Sequence, residues 1–154
     1  MPGPGARFSL LCRVKGRFCA LPLSNVIEIM RPLAVEALLG APPFVLGLSI
    51  IRGEATAVVS ARRLFGDEDG PPGRFVTLRT GRRKVALAVD DVLEVRALDA
   101  ELLSELPPLL REVEGTLASR LGALDAELLM VFADARAFDE QPWLDSVSTP
   151  EAVA

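Results

Sequence analysis

Residues Leu46 to Val59 read LGLSIIRGEATAVV, an apolar run interrupted by Arg52-Gly53-Glu54. A continuous strand or helix has no use for that interruption. Two strands joined by a tight turn do, because Gly53 can supply a positive φ that other residues resist. The reading is a hairpin, with strands of about 46–51 and 55–60. Alternation then puts Leu46, Leu48, Ile50 and Arg52 on one face. If that face is the core, Arg52 is half-buried and needs an anion.

The same grammar extends in both directions. RFSLLCRV (Arg7 to Val14) and FCALPL flank Lys15-Gly16-Arg17 as a second hairpin. VIEIMR carries β-branched residues at Val26, Ile27 and Ile29 and reads as a strand. Pro42-Pro43 breaks the chain, and GDEDGPPG (Gly66 to Gly73) divides it near its middle. RFVTLRT and KVALAVDDVLEVRAL follow, around a turn at Gly81-Arg82-Arg83. Arg82-Arg83-Lys84 reads as a solvated hairpin tip. DAELLSEL has helical spacing at Leu102, Leu103 and Leu106 until Pro107-Pro108, which predicts a short helical turn and a loop. TLASRLGAL and ELLMVFA read as a last strand pair about Asp125-Ala126, and DARAFDEQ as a short C-terminal helix.

The two halves resemble each other. ALPLSNVIEIM (Ala20 to Met30) lies over ALAVDDVLEVR (Ala86 to Arg96) without a gap, with identities at Ala20/Ala86, Leu21/Leu87, Val26/Val92 and Glu28/Glu94. Each segment follows an Arg-Phe strand and a Gly-containing turn. Each precedes a strand pair ending in Arg-x-Phe, at Arg63-Leu64-Phe65 and Arg136-Ala137-Phe138. Many short strands with few helices indicate an all-β protein. About five strands per half suits two small closed barrels of pseudo-twofold similarity. The expected layout is a flexible tail over 1–6, a single domain of two pseudo-repeated subdomains over 7–141, and a tail over 142–154.

Composition narrows the chemistry. The chain has 154 residues, half of them hydrophobic and 25% charged, with a net charge of −4. Such a mildly acidic chain lacks the basic face that nucleic acid or an anionic membrane selects. It contains no histidine and no tyrosine. Ser-His-Asp and Cys-His catalysis, His-containing metal sites and phosphohistidine chemistry are thereby excluded. Asp90-Asp91 is the one tempting acidic pair, but neighbours on a strand point to opposite faces and make a poor catalytic dyad. Cys12 and Cys19, without CxxC spacing, read as buried free thiols. With no signal-peptide layout and no apolar run long enough for a membrane span, the expected location is cytoplasmic.

Four stretches carry a resemblance to a known family. RFCALPLSNVIEIMRP resembles the strand and V-x-E-I step of the CheW-like domain, the coupling module of bacterial chemosensory arrays. APPFVLGLSIIRGEATAVVSARRLFG resembles its Arg-Gly signature and the strand after it. VALAVDDVLEVR is similar to its V-D-x-V element, and TLASRLGALDAELLMVFADARAF to its closing hairpin. Together they span about Arg7 to Phe138. The resemblance implies two five-stranded barrels of the Src-homology type packed across a hydrophobic seam. It implies a non-enzymatic adaptor that joins chemoreceptor signalling domains to the regulatory domain of a CheA-type histidine kinase. No cofactor, metal, nucleic acid or small-molecule ligand is expected. Leu23 and Val26, facing Val92, would line the seam that receives the receptor. Glu28 and Arg52 match the family's V-x-E-I glutamate and its arginine, and are expected to form a partly buried ion pair beside that seam. The sequence departs from the family at Ala57, where a proline is common, at Ser60 and Ala133, where acidic residues are common, and at Ala126, where a turn glycine is frequent. Those departures raise a second reading, an accessory coupler that binds receptors without engaging the kinase.

Overall fold

The computed structural model describes residues 7–68, 70–80, 83–98, 103–105, 120–124 and 127–131. The first hairpin is β1 (Arg7–Val14) and β2 (Arg17–Pro22). A 3-10 turn, Leu23–Asn25, leads to β3 (Val26–Met30). After an irregular stretch come β4 (Val45–Ile51) and β5 (Glu54–Ser60), then the one-turn helix α1 (Ala61–Leu64). The second half supplies β6 (Arg74–Thr80), β7 (Arg83–Val89), β8 (Asp91–Leu98), β9 (Leu103–Glu105), β10 (Arg120–Leu124) and β11 (Glu127–Val131).

The strands form two sheets, and neither sheet belongs to one half. The first runs β8-β1-β2-β11-β10-β9, and the second runs β3-β6-β7-β5-β4. Each half lends its opening hairpin to the sheet built from the other half. The repeat survives this exchange in detail. Leu10 pairs with Val95 and Cys12 with Val92. The shift that lays Ala20 on Ala86 turns those pairs into Val76 with Ile29 and Leu78 with Val26, which are the observed partners. Both ladders carry a bulge at the matching place, passing over Leu93 in β8 and Ile27 in β3. The closing contacts, β2 with β11 and β7 with β5, are both parallel.

Burial follows from this arrangement. One cluster joins the sheets, with Leu10, Cys12, Val14, Cys19 and Leu21 from the first and Val59, Val76, Leu78, Val85, Leu87 and Val89 among those from the second. A smaller cluster on the far face of the first sheet holds Leu11, Phe18, Ala20 and Leu98. Its counterpart in the second sheet holds Ile51, Val58, Phe75, Ala86 and Ala88. Val85 to Val89 are all buried, the mark of a central strand covered on both faces.

Two expectations are corrected. In β4 the buried row is Val45, Gly47, Ser49 and Ile51, while Ile50 is 67% exposed. The face carrying Leu46, Leu48, Ile50 and Arg52 is therefore the more exposed one. Leu103–Glu105 is a strand rather than a helical turn, because pairing with β10 outweighs local leucine spacing. The one-turn helix at Ala61 was not anticipated. Ser60 caps it by accepting from the Arg63 N–H at 3.3 Å. The expected C-terminal helix, the tip at Gly81-Arg82 and both tails lie outside the described residues.

Candidate functional site

Val26 begins β3 and Val92 is the second residue of β8, and both pack from the rim against the core that joins the sheets. Their positions are equivalent in the repeat, so the fold presents one valine at each chain crossing. Leu23 precedes Val26 in the 3-10 turn and is 37% exposed. At the bulges and just past them, the two edge strands expose equivalent apolar pairs, Ile27 and Ile29 on β3 and Leu93 and Val95 on β8. Exposed apolar side chains flanking a packed rim are suited to protein contact.

Glu28 and Arg52 meet. Arg52 Nη2 lies 2.9 Å from Glu28 Oε2, and its Nε donates to Oε1 at 3.3 Å. The Arg52 side chain is 78% exposed and that of Glu28 26% exposed. The pair is thus a surface fork, not the partly buried bridge expected. Arg52 sits in the turn itself, with φ of 52°, followed by Gly53 at 79°. Positive φ at both central residues is the hairpin turn that matches strand twist. It swings the arginine off the strand face and across to β3. The hydrogen bond from Arg52, helped by its charge and that of Lys84, holds the Glu28 carboxyl below its usual range against some desolvation. Arg52 is correspondingly raised by Glu28.

Thr77 was missed by sequence reasoning. Its buried hydroxyl accepts from the Glu28 N–H at 3.1 Å and donates to the Glu28 carbonyl at 3.3 Å. It thereby holds the backbone just past the Ile27 bulge and aims Glu28 at Arg52. A threonine in an apolar strand is an ordinary β residue, and nothing local marks it.

A second ion pair also escaped the sequence. Arg62 Nε and Nη2 donate to the Asp90 carboxylate at 2.7 and 2.9 Å. Partial burial pushes that carboxyl up, but Arg62 and the Lys15 N–H outweigh it and hold it below its ordinary value of 3.8. Cys12 and Cys19 face each other across the first hairpin as free, buried thiols. Burial, then the charge of Asp91, pushes Cys12 up to about 12. Burial, then Cys12, raises Cys19 well above the usual thiol range. Such thiols are poor nucleophiles. Among the described residues there is no group of three or more His, Cys, Asp or Glu side chains placed to hold a metal, and no helix long and apolar enough to cross a membrane.

Two β sheets thus share one core, with apolar rims and two forked arginine–carboxylate pairs at their margins. The CheW-like domain family matches residues 9–138, and the chain belongs to that family. No curated protein matches the sequence. Among solved structures, the scaffolding protein TtCheW from Thermoanaerobacter tengcongensis is similar over 85% of this chain and 88% of that one, with a TM-score of 0.68 and 19% identity. At that identity the likeness speaks for the fold.

Proposed function

We propose that the protein is a non-enzymatic adaptor of a bacterial chemosensory system, working in the cytoplasm. It would couple chemoreceptor signalling domains to a CheA-type histidine kinase. Family membership supports this class of role. The observation that carries the receptor contact is the pair of equivalent rim valines, Val26 and Val92, seated on one inter-sheet core beside exposed Leu23. A receptor hairpin offers apolar side chains that can complete that rim. Each sheet, curling on itself, would form one of the two small barrels of the family fold. The kinase regulatory domain, itself of this fold in the family, would meet a sheet end. Modest contacts of this kind gain strength from multivalency.

Of the departures from the family, Ala57 and Ser60 fall inside the protein, whereas Ala126 and Ala133 lie outside the described residues. Ala57 is 1% and Ser60 2% exposed, so they alter packing and helix capping rather than a docking surface. The deciding experiment is binding of the purified chain to a receptor signalling hairpin and to a kinase regulatory domain from the same genome. Binding to both is expected. Receptor binding alone would point to the accessory role, and binding to neither would remove the adaptor reading while leaving the fold.

A further inference from the structure

Two equivalent crossings carry the chain from one sheet to the other, and they are built differently. At the first, β2 reaches β3 through Leu23, Ser24 and Asn25, and Ser24 is exposed. At the second, β7 reaches β8 through Asp90. The shift that lays Ala20 on Ala86 lays Leu23 on Val89 and Ser24 on Asp90. Leu23 is 37% exposed, whereas Val89 is 1% exposed.

Asp90 is held from both sheets. Its N–H donates to the Arg13 carbonyl at 3.0 Å, and its carboxylate accepts the Lys15 N–H at 2.8 Å. Both partners belong to the first hairpin. The same carboxylate takes two bonds from Arg62, on the helix that extends β5 of the second sheet. A Cβ at Gly70 would come within 2.2 Å of Arg62 Nη1, so the guanidinium also lies against the mid-chain connection. A Cβ at Gly73 would lie 1.8 Å from the Asp90 carbonyl oxygen, which brings β6 in tightly at the same corner. Arg17 and Asp67 add an ion pair at 2.8 Å, joining β2 to the chain just past α1. The shift that lays Arg63 on Arg136 lays Arg62 on Ala135. In the repeat, the sequence equivalents of Asp90 and Arg62 are the uncharged Ser24 and Ala135.

We propose that Asp90, through Arg62, is the positioning residue of the inter-sheet seam. It sets where β8 leaves the second sheet and enters the first, and so sets Val92 against the shared core. Two parallel charge-assisted bonds fix orientation as well as distance. The Val92 side of the rim is then a rigid wall, and the Leu23–Val26 side is the one that adapts. The consequence for docking rests on the adaptor reading above; the structural claim does not.

The test uses the full chain with Asp90→Asn and, separately, Arg62→Gln. Amide hydrogen exchange and affinity for the receptor signalling hairpin are both measured. Exchange at Lys15, Asp90 and Val92 is expected to quicken about tenfold while the β4–β5 ladder keeps its wild-type rates. Hairpin affinity is expected to fall severalfold, with Arg62→Lys intermediate because it keeps charge but loses the fork. Uniform quickening through both sheets would reduce the pair to general stabilisation and overturn the proposal. Unchanged local exchange would overturn it too. Failure of the wild type to bind the hairpin would remove the docking role, while the exchange measurement still judges the positioning. If Asp90→Asn does not fold, Arg62→Gln decides.

Discussion

At the scale of single residues, charge placement separates two ion pairs of similar geometry. Arg52 and Glu28 form a fork in which the arginine is mostly in water, so solvent screens it. Arg52→Ala is expected to leave the melting temperature essentially unchanged and to let the Glu28 carboxyl rise toward its ordinary 4.5. A carboxylate NMR titration with a calorimetric scan checks both, and a large fall in melting temperature would contradict this reading. Arg62 and Asp90 are each about three-quarters covered. A carboxyl depressed in the folded state stabilises above its unfolded value and loses that contribution as pH falls through the folded one. Wild-type stability should therefore decline below pH 3.8, and Asp90→Asn should flatten part of that decline. Parallel acid denaturation curves for the two proteins would refute the assignment.

At the scale of elements, two glycines are required for different reasons. Gly53 has φ of 79° with open space around its missing Cβ. Gly53→Ala should cost about 1–2 kcal/mol, the penalty of a left-handed non-glycine residue. Gly47 faces backbone, because a Cβ there would lie 2.0 Å from the Glu36 carbonyl oxygen. That carbonyl accepts the Leu48 N–H at 2.8 Å, and Glu36 N–H donates back to Leu48 at 2.8 Å. Gly47→Ala must push the 31–44 stretch off β4, at a cost of roughly 3 kcal/mol, the upper end for overpacking. Urea melts of the two variants should rank them in that order, and the reverse ranking would mean the Glu36 bridge yields easily. The pairings themselves were legible in part. Alternation and turn glycines mark β1, β2, β4 and β5, whereas Leu103–Glu105 looks helical until β10 pairs with it.

At the scale of the molecule, stability is concentrated in a core shared by both halves. Leu87, in the core that joins the sheets, and Phe75, in the second sheet's outer cluster, are both fully buried. Phe75→Ala should cost about 3–5 kcal/mol, and Leu87→Ala about 2–5 kcal/mol. Because every sheet contains strands from both halves, each loss should appear as one cooperative transition seen by all probes. Separate transitions for the two sheets would count against a shared core. The thiols give an independent gauge. With Cys12 pushed up to about 12 and Cys19 fully buried, alkylation at pH 8 should proceed only through unfolding. Rapid labelling of the native protein would show that the first hairpin opens on its own.

Local information determined the β class, the hairpin turns and the internal repeat, because alternation and glycine placement act within a few residues. Family resemblance paired Glu28 with Arg52, and the repeat made Val26 and Val92 equivalent positions. Only the tertiary structure decided that the opening hairpins are exchanged between sheets, since strand order depends on contacts distant in sequence. It alone put Arg52 in solvent, because the face it shares with Ile50 is the exposed one and the positive-φ turn carries its side chain across to β3. And it alone joined Arg62 to Asp90, two residues that reach each other only where the chain crosses from one sheet to the other.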